Sequence, residues 1–281
     1  MSVLSSIFGG RKQRDPYDVL VRSIKQGQTA KIQQILAANP ELERRIEQPS
    51  GRSPIVYAAR HGRLDLVQRF FPQSRKFQRE AALHEAIKNR TEASGDIIRY
   101  LLDQKVDPNT KELCKYLYLS EGQTREDYRV IESPLEFIIG HYDYTNDEKL
   151  RLLSLLLSYQ ADPNWKSPSS SITPIERIFF DIDEIPARKR MIKTFMSHGG
   201  NPTILLEKIL KGSYGHGIYL RKDPQYQMIP FLIQQSLLHH FPIKSKLFQH
   251  PDMRQRFKSL HLQKYLPQAG VQLAQRRQQN G

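Results

Sequence analysis

The chain has 281 residues, of which 38% are hydrophobic and 26% are charged. This composition is typical of a folded globular protein and excludes a chain that is disordered throughout. Its apolar runs are shorter than the roughly 20 residues that a membrane-spanning helix needs. Its single cysteine, Cys114, excludes an intrachain disulfide and fits a reducing compartment.

The formal net charge of +14 is unevenly distributed along the chain. Residues 1–79 carry 15 basic and 6 acidic side chains (net +9), whereas residues 80–185 carry 12 and 20 (net −8). Residues 186–281 carry 16 and 3 (net +13). An excess of this size at one end favours an anionic partner for that end.

The first 14 residues predict a flexible N-terminal tail. Basic residues follow the apolar part of this tail, which is the wrong order for a secretory signal. Behind the tail, residues 18–42 (DVLVRSIKQGQTAKIQQILAANPEL) have the apolar spacing of two short helices on either side of Gly27.

Residues 51–71, GRSPIVYAARHGRLDLVQRFF, predict a clearer pair of helices. Ser53 suits an N-cap, and Pro54 suits the first helical position, where its missing N–H loses no hydrogen bond. Gly62 suits the left-handed conformation that ends a helix. A second apolar face follows and ends at Pro72. Neither helix would be stable alone, because isolated helices shorter than about 12 residues are marginal in water.

The same pattern recurs three times downstream, in residues 81–109, 133–164 and 173–202. The second of these copies opens with Ser-Pro-Leu-Glu and the third with Thr-Pro-Ile-Glu, and the first two close with Asp-Pro-Asn. Tandem repetition of a unit that cannot bury its own apolar face predicts a stacked repeat protein.

These units resemble the ankyrin repeat, whose signature runs roughly G-x-T-P-L-H-x-A-A-x-x-G-x-x-x-x-V-x-x-L-L-x-x-G-A-D-x-N. The matching residues are Gly51, Ser53-Pro54-Ile55, Ala58-Ala59, Gly62, Val67 and Phe70-Phe71, the Leu83-His84 pair, and the closing Ala161-Asp162-Pro163-Asn164. The resemblance implies an all-α fold, with an ankyrin-repeat solenoid of about five irregular repeats over residues 15–202 and a C-terminal helical capping module.

Residues 110–132 interrupt the repeats as a long insertion. Insertions in the ankyrin family usually lie on the face of the fingers and loops, so this one is expected to project from that face. Its tyrosines, Tyr116, Tyr118 and Tyr128, either bind a partner there or pack inside an ordered loop.

The resemblance also implies that a protein partner binds on the concave side, along the fingers and the inner helices. The fingers are expected near residues 48–53, 76–81, 126–133 and 165–173. The expected partner-binding side chains are Arg52, Arg79, Tyr128, Arg129, Trp165 and Lys166. Trp165, the only tryptophan, leads this set because exposed aromatic side chains anchor interfaces. The alternative for Trp165 is packing beneath the next finger.

Residues 203–281 predict a basic helical module, whose default role is to cap the exposed end of the solenoid. Its basic amphipathic helices also suit an acidic protein, a phosphoinositide membrane or nucleic acid. For this alternative, the expected anion-binding residues are Arg188, Lys189, Arg190, Arg254, Arg256 and Lys258.

We expect no catalytic site. Cys114 lies in the apolar segment LCKYLYL, a setting typical of a small buried side chain. The enzymatic alternative pairs Cys114 with His84 or His141 as a nucleophile and base. By resemblance to the ankyrin L-H pair, His84 is expected to make structural hydrogen bonds between adjacent turns.

We expect no metal site and no cofactor. His239 and His240 are adjacent and therefore point about 100° apart on a helix. The spacing of His250 and His261 fits no zinc pattern. The acidic run at residues 181–184 lacks the glycine and the last carboxylate of a calcium loop, and it suits an exposed helix junction.

Taken together, these features predict a monomeric, non-catalytic, cytoplasmic protein-interaction module without a small-molecule substrate. Few, irregular repeats with large insertions also resemble the ankyrin proteins that intracellular bacteria inject into host cells. Translocation into a host cell is therefore the alternative location. Three classes of function stay open: an adaptor with a protein in its ankyrin groove, a binder of anionic surfaces, and a cysteine-dependent enzyme.

Overall fold

The computed structural model describes residues 15–46, 52–120, 123–166, 172–211 and 228–238. Within these ranges, the side chains of residues 112–131, 207, 209–211 and 237–238 are not included. The described part of the chain is predominantly helical, as predicted, and it divides into two compact units, residues 1–107 and 108–281.

Unit 1 (residues 1–107) contains three consecutive helix pairs. These are α1 (Pro16–Lys25) with α2 (Thr29–Ala38), α3 (Pro54–Arg60) with α4 (Leu64–Phe70), and α5 (Lys76–Lys88) with α6 (Ser94–Asp103). Short 3-10 helices follow the first two pairs, at Pro40–Arg44 and Phe71–Gln73. The first helices of the pairs stack side by side, α1 against α3 and α3 against α5, and α4 packs against α6. The stack buries a continuous apolar core that includes Leu20, Ile24, Ile55, Ala58, Leu83 and Ala86.

Helix boundaries in unit 1 follow local chemistry. Helix α3 begins after Ser53 with Pro54 in its first turn, which confirms the predicted start, although the Ser53 side chain makes no capping hydrogen bond among the described residues. Gly27 and Gly62 both have a φ of +67°, in the turns after α1 and α3. A Cβ on Gly62 would lie 2.6 Å from Oγ1 of Thr91, so the turn after α3 packs closely against the turn after α5.

The finger predicted at residues 76–81 is wrong, because these residues form the first turns of α5. The backbone N–H of Arg75 donates to Oε1 of Gln78 at 2.6 Å, and this contact starts the helix five residues before the small-residue run at Ala81. The polar segment before that run therefore belongs to the helix.

Unit 2 (residues 108–281) begins with a two-stranded antiparallel hairpin, β1 (Glu112–Ser120) and β2 (Gln123–Glu132). Two helix pairs follow, α7 (Pro134–Gly140) with α8 (Asn146–Ser158) and α9 (Pro174–Asp181) with α10 (Ile185–Ser197), and then α11 (Thr203–Lys211) and α12 (Met228–Leu238). Helix α7 packs against α9, α8 against α10, and α12 against both α10 and α11. The N-terminal half of α12 buries Met228, Ile229, Leu232 and Ile233.

The hairpin is the predicted insertion at residues 110–132, although its strands were not predicted. Its register sets Tyr116 opposite Tyr128 and Lys115 opposite Arg129, with an irregularity after Tyr116. The segment is rich in tyrosine, leucine and valine, residues that are enriched in strands rather than in the helices of the repeats.

In unit 2, the last asparagine of each predicted Asp-Pro-Asn turn bonds to the turn that ends the next helix pair. The Oδ1 of Asn109 accepts a hydrogen bond from the N–H of Asp162 at 2.6 Å. One repeat later, Oδ1 of Asn164 accepts one from the N–H of Asn201 at 2.7 Å, and its Nδ2 donates to the carbonyl of Gly199 at 2.9 Å. The same side chain therefore makes the same contact with the following turn at two successive positions.

Candidate functional site

Two neighbouring helices of unit 1, α1 and α3, each end in a basic residue. Lys25 ends α1 and Arg60 ends α3. The Nζ of Lys25 lies 5.4 Å from the ring centroid of Tyr57. The Nε of Arg60 lies 3.8 Å from Oε2 of Glu85. Tyr57 and Glu85 are both buried, so two partly exposed cations cover a buried ring and a buried carboxylate.

His61 lies beside these two cations, in the turn after α3. Burial, followed by the charges of Arg60 and Lys25, lowers the pKa of His61 below its ordinary value, and the charge of Glu85 opposes this. The Nε2 of His61 is buried and has no hydrogen-bond partner within the described part of the chain. His61 is therefore neutral near pH 7 and lies in a positive potential. Lys25, Arg60 and His61 are called the basic cluster below.

Arg79, a predicted partner-binding residue, lies on an aromatic surface in unit 1. Its guanidinium is 4.2 Å from the ring centroid of Phe71, which in turn meets Tyr100 edge to face at 5.7 Å. Phe77, two residues earlier on α5, is 47% exposed. Arginine and aromatic side chains are both enriched at protein interfaces.

Arg52, the other predicted residue in unit 1, is half-buried immediately before the N-cap of α3. Its carbonyl accepts a hydrogen bond from the hydroxyl of Tyr17 at 3.4 Å, which fixes the backbone there against α1. Arg52 precedes α3, whereas Arg79 lies on the neighbouring helix α5.

Trp165, the leading predicted residue, is half-buried in the turn after α8. Its N–H donates to the carbonyl of Asp162 at 3.3 Å, and the Nζ of Lys111 lies 5.8 Å from its ring centroid. Lys166 is exposed next to it. Trp165 is thus half-buried beneath a cation, and its role as a partner-binding residue stays a prediction.

The predicted residues Tyr128 and Arg129 lie in β2, opposite Tyr116 and Lys115 of β1. Their side chains are outside the described residues. The finger predicted near residues 126–133 is therefore the second strand of the hairpin followed by the N-cap of α7.

The basic residues predicted for anion binding are only partly described. Arg188 is 4% exposed, its Nε donates to the carbonyl of Ile182 at 2.8 Å, and its guanidinium lies 5.2 Å from the Phe179 ring. Arg188 therefore has a structural role in the junction between α9 and α10, and its placement on an anion-binding surface is wrong. The physical reason is that a carbonyl left by the end of α9 needs a buried donor.

The two neighbouring cations are more exposed. The Nζ of Lys189 lies 5.7 Å from the Phe231 ring, and Nη2 of Arg190 donates to Oδ1 of Asp147 at 3.0 Å. The remaining predicted residues, Arg254, Arg256 and Lys258, lie outside the described residues.

A buried ionic network, missed by the sequence reasoning, joins the hairpin to the helix pairs of unit 2. Glu132, the last residue of β2, is 1% exposed, and its Oε1 lies 2.5 Å from Nη1 of Arg177. The Nε of Arg177 donates to Oδ2 of Asp181 at 3.0 Å. The guanidinium covers Gly140, where a Cβ would lie 2.5 Å from Nη2 of Arg177. Arg177 thus fastens the end of the hairpin to α9.

Two glutamates of unit 2 occupy the repeat position that His84 holds in unit 1. Oε2 of Glu136 accepts hydrogen bonds from the N–H and hydroxyl of Ser133, and burial raises the pKa of Glu136 to about 7. Oε2 of Glu176 likewise accepts a hydrogen bond from the N–H of Thr173 at the start of α9. Its other oxygen, Oε1, accepts one from the Nζ of Lys208. The signal in the sequence was the glutamate that ends both Ser-Pro-Leu-Glu and Thr-Pro-Ile-Glu.

The described part of the chain gives no support to a metal-binding or catalytic site. No group of three or more His, Cys, Asp or Glu side chains in it could hold a metal ion. The acidic run at residues 181–184 forms the predicted helix junction, with Asp183 and Glu184 exposed. His84 is buried in α5, and Cys114 lies in β1 with its side chain outside the described residues, as are His239, His240, His250 and His261.

Residues 20–112 match the family model described as ankyrin repeats (3 copies). This range includes five of the six helices of unit 1 in full and most of α1. No curated protein matches the chain. No described helix is long and apolar enough to cross a membrane.

Proposed function

We propose, on the premise that residues 20–112 of this chain are ankyrin repeats, that the protein is a non-catalytic adaptor that binds a protein partner through its repeat face. Ankyrin repeats are generally protein–protein interaction modules, and the match to them is the observation that carries the proposal. The side-by-side stacking of α1, α3 and α5 over the same residues supports it, because such a stack offers a continuous surface to one partner.

Within this proposal, the partner contacts side chains that the repeats leave partly exposed. In unit 1 these are Arg52 and Arg79, of which Arg79 is held on an aromatic surface and is therefore pre-ordered. In unit 2 they are Trp165 and Lys166, with Tyr128 and Arg129 of the hairpin as further candidates. Tryptophan, tyrosine and arginine are the side chains that most often dominate binding energy.

Site-specific photo-crosslinking in the full chain tests the proposal. A photoreactive phenylalanine analogue replaces Arg79 or Trp165 in one pair of variants, and the exposed Gln33 of α2 or Arg99 of α6 in a matched control pair. We expect one protein to be crosslinked from the first pair and not from the control pair. Equal crosslinking from both pairs, or none from either, would refute the proposal.

The non-catalytic part of the proposal has its own test. Cys114→Ala removes the only thiol of the chain and with it any cysteine chemistry. We expect the variant to retain the crosslinked partner and every cellular effect of the parent chain. Loss of an effect with partner binding intact would point to the enzymatic alternative.

A second candidate function, binding of anionic surfaces, is favoured by the charge of residues 186–281, which hold 16 basic and 3 acidic side chains. It would rest on Arg254, Arg256 and Lys258, since Arg188 is buried and Arg190 is paired with Asp147. Its test is sedimentation with phosphoinositide vesicles at low and high salt. Replacement of those three cations by glutamine should abolish sedimentation, and binding that tolerates salt would count against this candidate.

The finer assignments are also proposals. A cytoplasmic location fits the single cysteine. Delivery into a host cell rests on the irregular repeats and the long insertion at residues 110–132 alone. A translocation assay with a reporter fused to the full chain separates these two locations.

A further inference from the structure

We infer that the basic cluster of Lys25, Arg60 and His61 is the docking point for an acidic segment of the protein partner, one that carries consecutive aspartate or glutamate side chains. The inference rests on the proposed function and names the chemistry of the partner at one place on the repeat face. The cluster was not among the residues predicted from the sequence.

The geometry of the two cations leaves them able to bind a carboxylate. Lys25 is exposed, and its amine is held over the ring of Tyr57 rather than by an acid. Arg60 is half-exposed, and its distance of 3.8 Å to Glu85 is longer than a hydrogen bond. The two cations therefore have one carboxylate between them among the described contacts, which leaves an excess of positive charge that acids of a partner can offset.

His61 is the titratable group that should report docking at this place. Burial and then the charges of Arg60 and Lys25 lower its pKa, Glu85 opposes them, and its Nε2 has no hydrogen-bond partner within the described part of the chain. An acidic segment over the cluster would offset both cations and favour protonation of His61. Docking should therefore be coupled to proton uptake by this histidine.

The partner segment should have several acids rather than one. Lys25 lies at the end of α1 and Arg60 at the end of the neighbouring helix α3, so a single carboxylate would neutralise the two only in part. Consecutive acids on an extended segment span about 3.3 Å per residue and can follow adjacent helices of the stack. Such a contact is mainly electrostatic, so it should weaken with salt.

The experiment measures the binding of a fluorescein-labelled peptide of ten glutamates to the full chain by fluorescence anisotropy. The test variant is Lys25→Glu with Arg60→Gln. The control variant is Lys105→Glu with Arg99→Gln, which changes the net charge by the same amount at exposed positions in and after α6. We expect at least tenfold weaker binding for the test variant and less than a twofold change for the control. If the test variant unfolds, Lys25→Glu alone is compared with Lys105→Glu.

Every other outcome overturns the inference. Equal weakening in both variants would show attraction by net charge alone, and a lack of binding by the parent chain would show no acidic site. A second measurement follows the His61 ring by NMR, with His61→Gln for assignment. We expect its pKa to rise when the peptide binds, and an unchanged pKa contradicts docking at the cluster.

The inference and the proposed function can fail separately. A partner that is crosslinked from Arg79 and binds the Lys25→Glu, Arg60→Gln variant as tightly as the parent would leave the adaptor function intact and remove the acidic docking point. A chain that binds the glutamate peptide at the cluster but crosslinks no protein would remove the adaptor function instead.

Discussion

Arg177→Met should destabilise unit 2 more than replacement of any exposed cation there. The guanidinium lies 2.5 Å from Glu132, which is buried at the end of the hairpin, and 3.0 Å from Asp181. Methionine keeps most of the length of the side chain and loses its charge. The variant therefore removes the Arg177 charge from the buried carboxylate of Glu132.

The magnitude follows from the burial of each partner. Removing one member of a buried ion pair costs about 3–5 kcal/mol, because the other charge stays desolvated. The side chain of Asp181 is 30% exposed, so its loss of a partner costs less than about 1 kcal/mol. Since Arg177 itself is 26% exposed, we expect the lower end of the range, about 3 kcal/mol in total.

Urea unfolding followed by the fluorescence of Trp165 measures this loss, because the only tryptophan lies in unit 2. With a slope of about 2 kcal/mol per molar urea, the midpoint should fall by about 1.5 M. Arg151→Met, at an exposed position of α8, is the matched control and should shift the midpoint little. The double variant with Glu132→Gln should recover part of the loss, since position 132 then carries no buried charge. A midpoint for Arg177→Met within the error of the Arg151→Met value would refute the reasoning.

Four further variants test single positions. Gly62→Ala should destabilise unit 1 by more than about 1 kcal/mol in urea unfolding followed by circular dichroism, because φ is +67° and the new Cβ meets Thr91. Gly95→Ala, in α6 with nothing within 4 Å, should instead stabilise by about 0.5–1 kcal/mol, and the same sign for both would contradict this. Thr145→Ala should cost about 1 kcal/mol in a thermal melt, since it removes the capping box of α8, and an unchanged melt would argue against the cap. The pKa of Glu136, raised to about 7, gives stability below pH 4.5 that is lost as the pH rises to 7. Glu136→Gln should therefore equal the parent near pH 4 and exceed it by up to about 3 kcal/mol at pH 8.

Helix pairs were predictable because their signals are local. Ser53 and Pro54 mark the start of α3, and Gly62 marks the turn after it. The spacing of apolar residues predicts which helix faces are buried. The start of α5 was misplaced because Gln78 begins the helix by a side-chain contact that composition does not indicate. The strands of the hairpin were missed because an insertion inside a helical repeat carries no periodicity that the repeats share.

Candidate site residues were harder to predict, because exposure and pairing depend on neighbours distant in sequence. Arg188 occurs in a run of three cations, yet its side chain is buried. It donates to a carbonyl six residues earlier in the chain and lies over the ring of Phe179. In the sequence, Lys25 is one of many cations in a basic segment. Its contact with the ring of Tyr57, 32 residues later in the chain, is visible only in the structure. A charge count gives the sign of a surface, and only the fold gives the side chains that form it.

The two glutamates in the first turns of α7 and α9 also show that pairing depends on neighbours distant in sequence. Glu136 and Glu176 have the same sequence context, the same burial and the same capping bonds to the preceding serine or threonine. Lys208 of α11 bonds Glu176. Arg177 of α9, in contrast, pairs with Glu132 and Asp181 instead of Glu136. Glu136 therefore has the charge of Arg177 nearby but no ion pair within the described residues, and burial outweighs that charge and raises its pKa. The Arg177→Met and Glu136→Gln variants therefore probe one network, and their effects should not add.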